Sequence, residues 1–485
     1  MGSVHHVRFK SNSNEVEAAM QDLVRSMRRA VEAQVGLGAT FGEREVAALD
    51  VANKASVTYF EELLQQMSDD YADELLIDGV LHRRSHEITQ GLYHSLCGTL
   101  AVMRAVYRRV GERNGATVVP LEFEAGMMER ATPALAFSIA QGYANETSRQ
   151  YVEEMQGAHR QVPSRSTVER IGKGLGNRAK QEAPRIERYL RRSEGVPEGT
   201  VAISVGLDRT TIPYEEKRED GQPPKTRRKT RKKPYVRTPP LPMDVNFHMA
   251  YVGTVSFLDR YGDSVAVRKY AATHHDGPDG ILARMIADVR AAKLREPGIP
   301  LGVVQDGAPE MWNLVRGALN AEPSIKSYLE AIDRYHLEER LGNVLRVTEN
   351  GADHREALLQ QWISEFDEDD TTIDRIRHYI ADRTWWHSGD GLALLEDNLT
   401  FIDNNCDRMR YVALRKAGLP VGSGATEGAC KSLVMVRAKR SGQRWHNDGI
   451  AAVITLRAVN HSGRLPRFFA HLRKGYTARV ERLAA

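Results

Sequence analysis

The chain has 485 residues, room for about three domains. Lys and Arg number 68 against 64 Asp and Glu, a formal charge of +4, so affinity for a polyanion must come from local clustering rather than from the total. Three widely spaced cysteines, Cys97, Cys406 and Cys430, exclude a disulfide framework or a Cys-x-x-Cys zinc site. No run of about 18 apolar residues argues for a membrane span, and the N-terminus lacks the apolar core of a signal peptide; a protein of a reducing cytoplasm is expected.

Residues 1–70 read as a helical region. Val16, Met20, Leu23, Val24, Met27 and Val31 recur at three- and four-residue steps, the spacing of one helix face. A second helix is expected from about Glu43 to Met67. The pair reads either as a packed hairpin or as a dimerisation arm. Residues 71–115 change period. Asp78-Gly79 lies between two apolar runs, a hairpin signal, and strands over 92–96 and 99–107 complete a small antiparallel sheet. Residues 116–198 read as helix-turn-helix. Thr132-Pro133 opens a helix, a second covers about Ser148 to Met155, and Ser164 caps a third. Ser164, Arg165, Ser166 and Thr167, with Arg170 and Lys173, form the short polar and basic face that a major-groove helix needs. An ordinary helical hairpin carries the same pattern.

The catalytic region is expected over 199–336 and 421–485. Val201, Ile203, Val205 and Leu207 alternate with small residues and end on Asp208. The run 300–306, PLGVVQD, repeats the arrangement and ends on Asp306, followed by a helix start with Pro309. Glu427 falls in the first turn of a helix after the Gly422–Gly424 loop. Each Asp alone suits a turn cap as well as a ligand. Together, two strand-end carboxylates and one helical carboxylate are a layout that holds two divalent metals for phosphoryl transfer. Hard oxygen donors suit Mg2+, with Mn2+ as a substitute.

Between Asp208 and the next strand, the stretch 225–237, KTRRKTRKKPYVR, carries eight Lys or Arg, among them Arg227, Arg228, Lys229, Arg231, Lys232 and Lys233. It reads as a solvated tip that also grips phosphates. Strands over 245–258 and 264–272, a helix over 280–293, the strand carrying Asp306, a helix over 310–320 and a last strand over 325–332 complete the core. An all-helical insertion is expected over 337–420, since 121 positions separate Asp306 from Glu427. Within it, Trp385, Trp386 and His387 read as core aromatics or as a base-stacking wedge. Beyond Glu427, Arg437, Lys439, Arg440 and Arg444 are candidates to clamp a phosphate backbone, and Trp445 is expected to be a packing anchor.

The segments VGLDRT at 205–210, VVQDGA at 303–308 and SGATEGACKSLVMVRAKRSGQRW at 423–445 resemble the Asp-Asp-Glu (DDE) transposases of bacterial insertion sequences, within them the ISKra-type family. Asp333-Arg-Tyr-His336 is similar to the Asp-x-x-His motif that follows the second Asp in such enzymes. The resemblance covers roughly 70–465. It implies an α/β, ribonuclease H-like core, with Asp208, Asp306 and Glu427 catalytic and metal-binding, and His336 and Asp333 auxiliary. It further implies binding to double-stranded DNA at transposon ends and target, a homodimer or higher oligomer, and a nucleoid-associated place in the cytoplasm. A non-catalytic DNA-binding derivative, or a ribonuclease H-like nuclease without strand transfer, is the alternative.

Overall fold

Residues 13–112, 115–218, 243–384 and 390–482 are described by a computed structural model. The basic tip with Arg227, Arg228, Lys229, Arg231, Lys232 and Lys233, and the Trp385-Trp386-His387 stretch, lie outside the described residues. The chain is mixed α/β and divides into two units, 1–175 with 473–485, and 176–472. No helix among the described residues is long and apolar enough to cross a membrane.

The first unit begins with α1 (Ser13–Val35) and α2 (Phe41–Asp69). Thr40 starts α2 with a capping box: its hydroxyl accepts from the Glu43 N–H, and the Glu43 carboxylate accepts from the Thr40 N–H at 2.8 Å. Strands β1 (Glu74–Ile77), β2 (Val80–His94) and β3 (Thr99–Arg109) form an antiparallel sheet. Asp78 and Gly79, at φ 53° and 74°, make the left-handed pair of a tight hairpin turn. The residue pattern predicts a separate strand at 92–96. Instead β2 is continuous, with a register shift between Arg84 and Ile88 that keeps the ladder with β3 aligned. Strand β3 is an edge, and α2 covers it. Glu61, Gln65 and Ser68 side chains accept from the outward N–H groups of Ala101, Met103 and Ala105.

Helices α3 (Pro120–Glu124), α4 (Pro133–Asn145), α5 (Ser148–Gly157) and α6 (Arg165–Glu194) follow. A Cβ on Gly142 would fall 2.2 Å from the Tyr151 ring, and one on Gly172 would fall 2.7 Å from Tyr143. Two glycines therefore let two tyrosines seat α4 against α5 and α6. Helix α6 runs for 30 residues through Pro184. Proline there forfeits one backbone bond, but Val168, Ile171, Leu175, Ala179, Ala183, Ile186 and Leu190 all stay buried along one stripe, so packing carries the helix past it. Strand β9 near the C-terminus (Val480–Arg482) pairs with β1, and Arg479 bonds Asp78 at 2.6 Å.

The second unit is built on a five-stranded sheet of β4 (Ala202–Lys217), β5 (Met243–Leu258), β6 (Ser264–Ala272), β7 (Leu301–Gln305) and β8 (Leu329–Ile332), in the order β6-β5-β4-β7-β8. The first three are antiparallel; β4–β7 and β7–β8 are parallel. Helix α7 (Asp279–Arg295) joins β6 to β7, and α8 (Pro309–Asn320) joins β7 to β8. The sequence reading started the last strand at 325; pairing begins only at Leu329. One sheet face carries Ile203, Val205, Leu207, Val255 and Phe257, in one apolar core with Met285 of α7 and Trp312 of α8. A helical stretch follows: α9 (Arg334–Thr348), α10 (Ala352–Glu365), α11 (Thr372–Thr384), α12 (Asp390–Asn405) and α13 (Tyr411–Lys416). The chain then returns through α14 (Gly424–Ala429), a π-helical segment over Cys430–Met435, α15 (Val436–Ala438), α16 (Asn447–His461) and α17 (Leu465–Thr477).

Candidate active site

The second face of β4 carries small residues up to Asp208: Ala202, Ser204 and Gly206. Thr254 and Ser256 sit opposite on β5 and are buried. This smooth face admits α14 at close range. A Cβ on Gly206 would lie 2.2 Å from the Thr426 hydroxyl, which bonds that of Thr254 at 2.7 Å. Glu427, one residue on, is thereby brought beside Asp208. Gly206→Ala is expected to push α14 outward, costing roughly 1–3 kcal/mol. Thermal melting measures this, and an unchanged Tm would show that α14 yields freely.

Asp208, Asp306 and Glu427 line one small cavity of about 30 Å3, together with Gln305, His336 and Thr426. The alternation predicts a strand end at Asp208, but β4 runs on to Lys217, held by its continuous pairing with β5. It is the parallel ladder with β7 that stops short, covering Ile203–Val205 against Leu301–Val303. Asp208 from within β4 and Asp306 just past the end of β7 therefore reach one cavity, and α14 supplies the glutamate from its first turn. Each carboxylate has protein partners. Asp208 accepts from its neighbour's N–H at Arg209 (2.6 Å) and from the Cys430 thiol (3.1 Å). Asp306 accepts from Ala308 N–H at 3.1 Å. Glu427 lies 3.4 Å from His336 Nε2 and 3.6 Å from Lys431 Nζ.

Burial pushes the Asp208 carboxyl above the usual range, the bonds from Cys430 and Arg209 oppose this, and the charges of Asp306 and Glu427 add to it. Burial, then the adjoining Asp208 charge, raises the Cys430 thiol far above its ordinary value, so it stays a protonated donor. The Gln305 side-chain oxygen accepts from Leu207 N–H at 3.0 Å, while its buried Nε2 finds no acceptor among the described residues.

Asp333 and His336 do different things. Asp333 is 3% exposed and does not face the cavity. It caps α9, accepting from Tyr335 N–H and His336 N–H, and its other oxygen accepts from both Ser423 N–H and Ser423 Oγ–H at 2.5 Å. Its own N–H bonds Gln305 C=O at 2.8 Å. Its carboxylate thus ties the helix bearing His336 to the turn before Glu427, and its main-chain N–H ties both to the residue before Asp306.

The π-helical segment follows Glu427 at once. Such wider turns leave main-chain carbonyls off the regular ladder. Arg457 of α16, 3% exposed, reaches two of them, bonding Leu433 C=O at 2.9 Å and Ser432 C=O. Burial and then the nearby Arg437 and Arg440 push Arg457 down to about 10. Arg457 and Cys430 were not singled out for the site in the sequence reading; the pointer to Arg457 was a lone arginine inside the apolar run of α16.

The four basic candidates after Glu427 divide. Arg437 is buried at 3% exposure, its guanidinium 5.0 Å from the Trp445 ring centre, so it packs the core rather than facing a ligand. Lys439 is exposed and donates to Thr210, two residues past Asp208. Arg440 is half-buried, bonded to Val436 C=O, and the exposed Arg444 pairs with Glu215. Trp445 precedes α16 and is anchored by its own backbone, bonded to Pro213 and Glu215 of β4. In the other unit, Ser164, Arg165, Ser166 and Arg170 are exposed at the start of α6, with Thr167 and Lys173 half-buried. Arg165 is engaged with Glu169, and Arg170 with Glu129 C=O.

Among the described residues, no group of three or more His, Cys, Asp or Glu side chains stands ready to hold a metal ion as placed. The donor set nonetheless fits a hard divalent cation in kind: three carboxylates share one cavity, and burial, with a smaller part from the charges of the other two, holds Asp208 above the usual carboxylate range. No protein-family model matches the chain, and comparison with curated proteins gives no significant match.

Proposed function

We propose that the chain is a DDE-type DNA transposase that cuts and joins DNA strands with divalent metal. The observation that carries this is the convergence of Asp208, Asp306 and Glu427 on one cavity, from within one strand, from just past the end of its parallel neighbour and from a helix start. The sheet order, three antiparallel strands followed by two parallel ones with helical crossovers, supports a ribonuclease H-like core, and the resemblance of the three carboxylate segments points the same way. Asp208, Asp306 and Glu427 would hold Mg2+ or Mn2+. Bound metal supplies Lewis acidity to the phosphodiester and activates water or a 3′-OH.

The chain's own residues prepare that site. Cys430 and the Arg209 N–H orient Asp208. His336, 42% exposed, steers Glu427 and presents an imidazole edge toward a phosphate. Asp333 fixes the relative placing of both through Ser423. The exposed face at the start of α6 is the candidate reader of the terminal repeats. The test is nicking of supercoiled plasmid and joining of a pre-cut 3′-OH oligonucleotide, each with Mg2+ or EDTA. Both reactions are expected with Mg2+ alone. Nicking without joining would make the protein a nuclease, and neither reaction would overturn the reading.

A homodimer has a natural surface on α1. Val16, Met20, Leu23 and Val24 are each about half exposed, and the apolar positions 16, 20, 23, 24, 27 and 31 are symmetric about the middle of the helix. A two-fold interface needs such a self-complementary pattern. Antiparallel pairing of two copies also sets Asp22 against Arg25, and Glu17 near Arg29. Leu23→Glu is expected to shift the protein from dimer to monomer in sedimentation velocity; a monomeric wild type, or a dimer in both, would remove α1 as the interface.

A further inference from the structure

A groove of the second unit lies away from the carboxylates. It holds about 1010 Å3 and is bounded by the second half of α6, by α7 and by α16. Its lining carries Lys180, Arg188, Arg191, Arg192, Arg284 and Arg290 against a single acid, Asp276. Three of these cations are closely matched. Lys180 pairs with Asp276 at 2.5 Å, Arg191 with the buried Asp288 at 3.3 Å, and Arg284 with Glu187. Arg290 only reaches Glu322 at 3.7 Å. Arg188 and Arg192, one turn apart on α6, are exposed and make no side-chain ion pair among the described residues. The facing wall is lined by Gly280, Ala283, Ala287 and Ala291 of α7, which leave the cations uncovered.

We infer that this groove binds the sugar-phosphate backbone of double-stranded DNA, on a surface separate from the carboxylate cavity. The inference rests on the proposed DNA-cutting function and names a further contact for its substrate. From Lys180 to Arg192 along α6 is about 18 Å at helical rise. That matches roughly five phosphates of one strand and exceeds what a single nucleotide spans. The lining contains no aromatic ring. A single strand is held largely by stacking on such rings, whereas duplex backbone is held by charge alone. An open groove with surplus cations and no stacking platform therefore fits duplex.

The test is the salt dependence of binding of the full chain to a labelled duplex of arbitrary sequence, read by fluorescence anisotropy in EDTA. Each phosphate contact contributes about 0.9 to the slope of log K against log salt. Arg188→Gln with Arg192→Gln is expected to reduce the slope by about 2 and to weaken binding at least tenfold at physiological salt. Ala283→Glu, which sets an acid on the opposite wall, should weaken it similarly. Lys326→Gln with Lys416→Gln removes the same charge from exposed sites outside the groove and should leave the slope unchanged. An unaltered slope in the arginine variant, or an equal fall in the lysine control, overturns the inference. Melting curves establish that each variant is folded. Because the slope is read without metal, it is independent of nicking: wild-type cleavage with an insensitive slope rejects the groove alone, while absence of cleavage rejects the enzyme reading.

Discussion

Asp306→Asn is expected to lower Mg2+-dependent nicking by on the order of a thousandfold or more, with DNA binding in EDTA unchanged. The substitution keeps size and shape. An amide oxygen can still accept from Ala308 N–H, the bond that carboxylate accepts among the described residues, so the strand end and the start of α8 have no reason to move. What disappears is a negative oxygen donor. Glu427→Gln should behave alike, since its neighbours are Lys431 Nζ at 3.6 Å, which an amide oxygen can serve, and His336 Nε2 at 3.4 Å, where an imidazole nitrogen can donate to the amide oxygen or accept from its N–H. Asp208→Asn differs: an amide nitrogen in place of Oδ2 would face the Cys430 thiol, which is a donor there. Some loss of stability should therefore accompany its loss of cleavage. Cleavage at the wild-type rate in either Asp306→Asn or Glu427→Gln would sink the assignment.

The parts of this site that the sequence displays are those set by local pattern. Alternation along 201–207 predicts the strand that carries Asp208, and the run into Asp306 predicts β7, because a period of two needs no knowledge of partners. Gly424 to Ala429 could be read as a helix start for the same reason. That β4 does not stop at Asp208 but runs on to Lys217 is set by its pairing with β5, which the pattern does not display. The remaining parts are contacts between distant segments. Nothing near Asp333 announces that it receives Ser423, 90 positions on. Strand β9 has three residues, too short for any periodicity, and exists only because β1 offers it an edge. Charged residues mislead most: Arg437 reads as a surface clamp by composition, yet it lies under Trp445, and Arg457 and Asp288 are buried because partners several segments away neutralise or bond them. The small residues Ser204 and Gly206 were visible as alternation partners, but their purpose, letting Thr426 approach, belongs to packing.

Asp288→Asn is expected to destabilise the second unit by roughly 3–5 kcal/mol, the cost of leaving a buried charge without its partner. Asp288 is 0% exposed on α7. Its carboxylate receives Arg268 of β6 at 3.0 Å, Arg191 of α6 at 3.3 Å and the Tyr270 hydroxyl. Around it Glu187 pairs with Arg284, and Glu194 with Arg464 at 2.6 Å. Burial lowers Arg268 below its ordinary value despite the attraction of Asp288, showing how little solvent reaches it. The network joins the end of α6, α7, β6 and the start of α17, so its centre holds four elements at once. Asn fills the same space but cannot balance two guanidinium groups. Adding Arg268→Met should recover part of the loss by removing one stranded charge, and a double-mutant cycle would report coupling of about 1–3 kcal/mol. The Tm of the transition assigned to this unit should fall by roughly 10 °C. A neutral Asp288→Asn, or strictly additive losses in the double variant, would mean that solvent or main-chain rearrangement replaces the carboxylate, and the four elements would have to owe their placement to apolar packing alone.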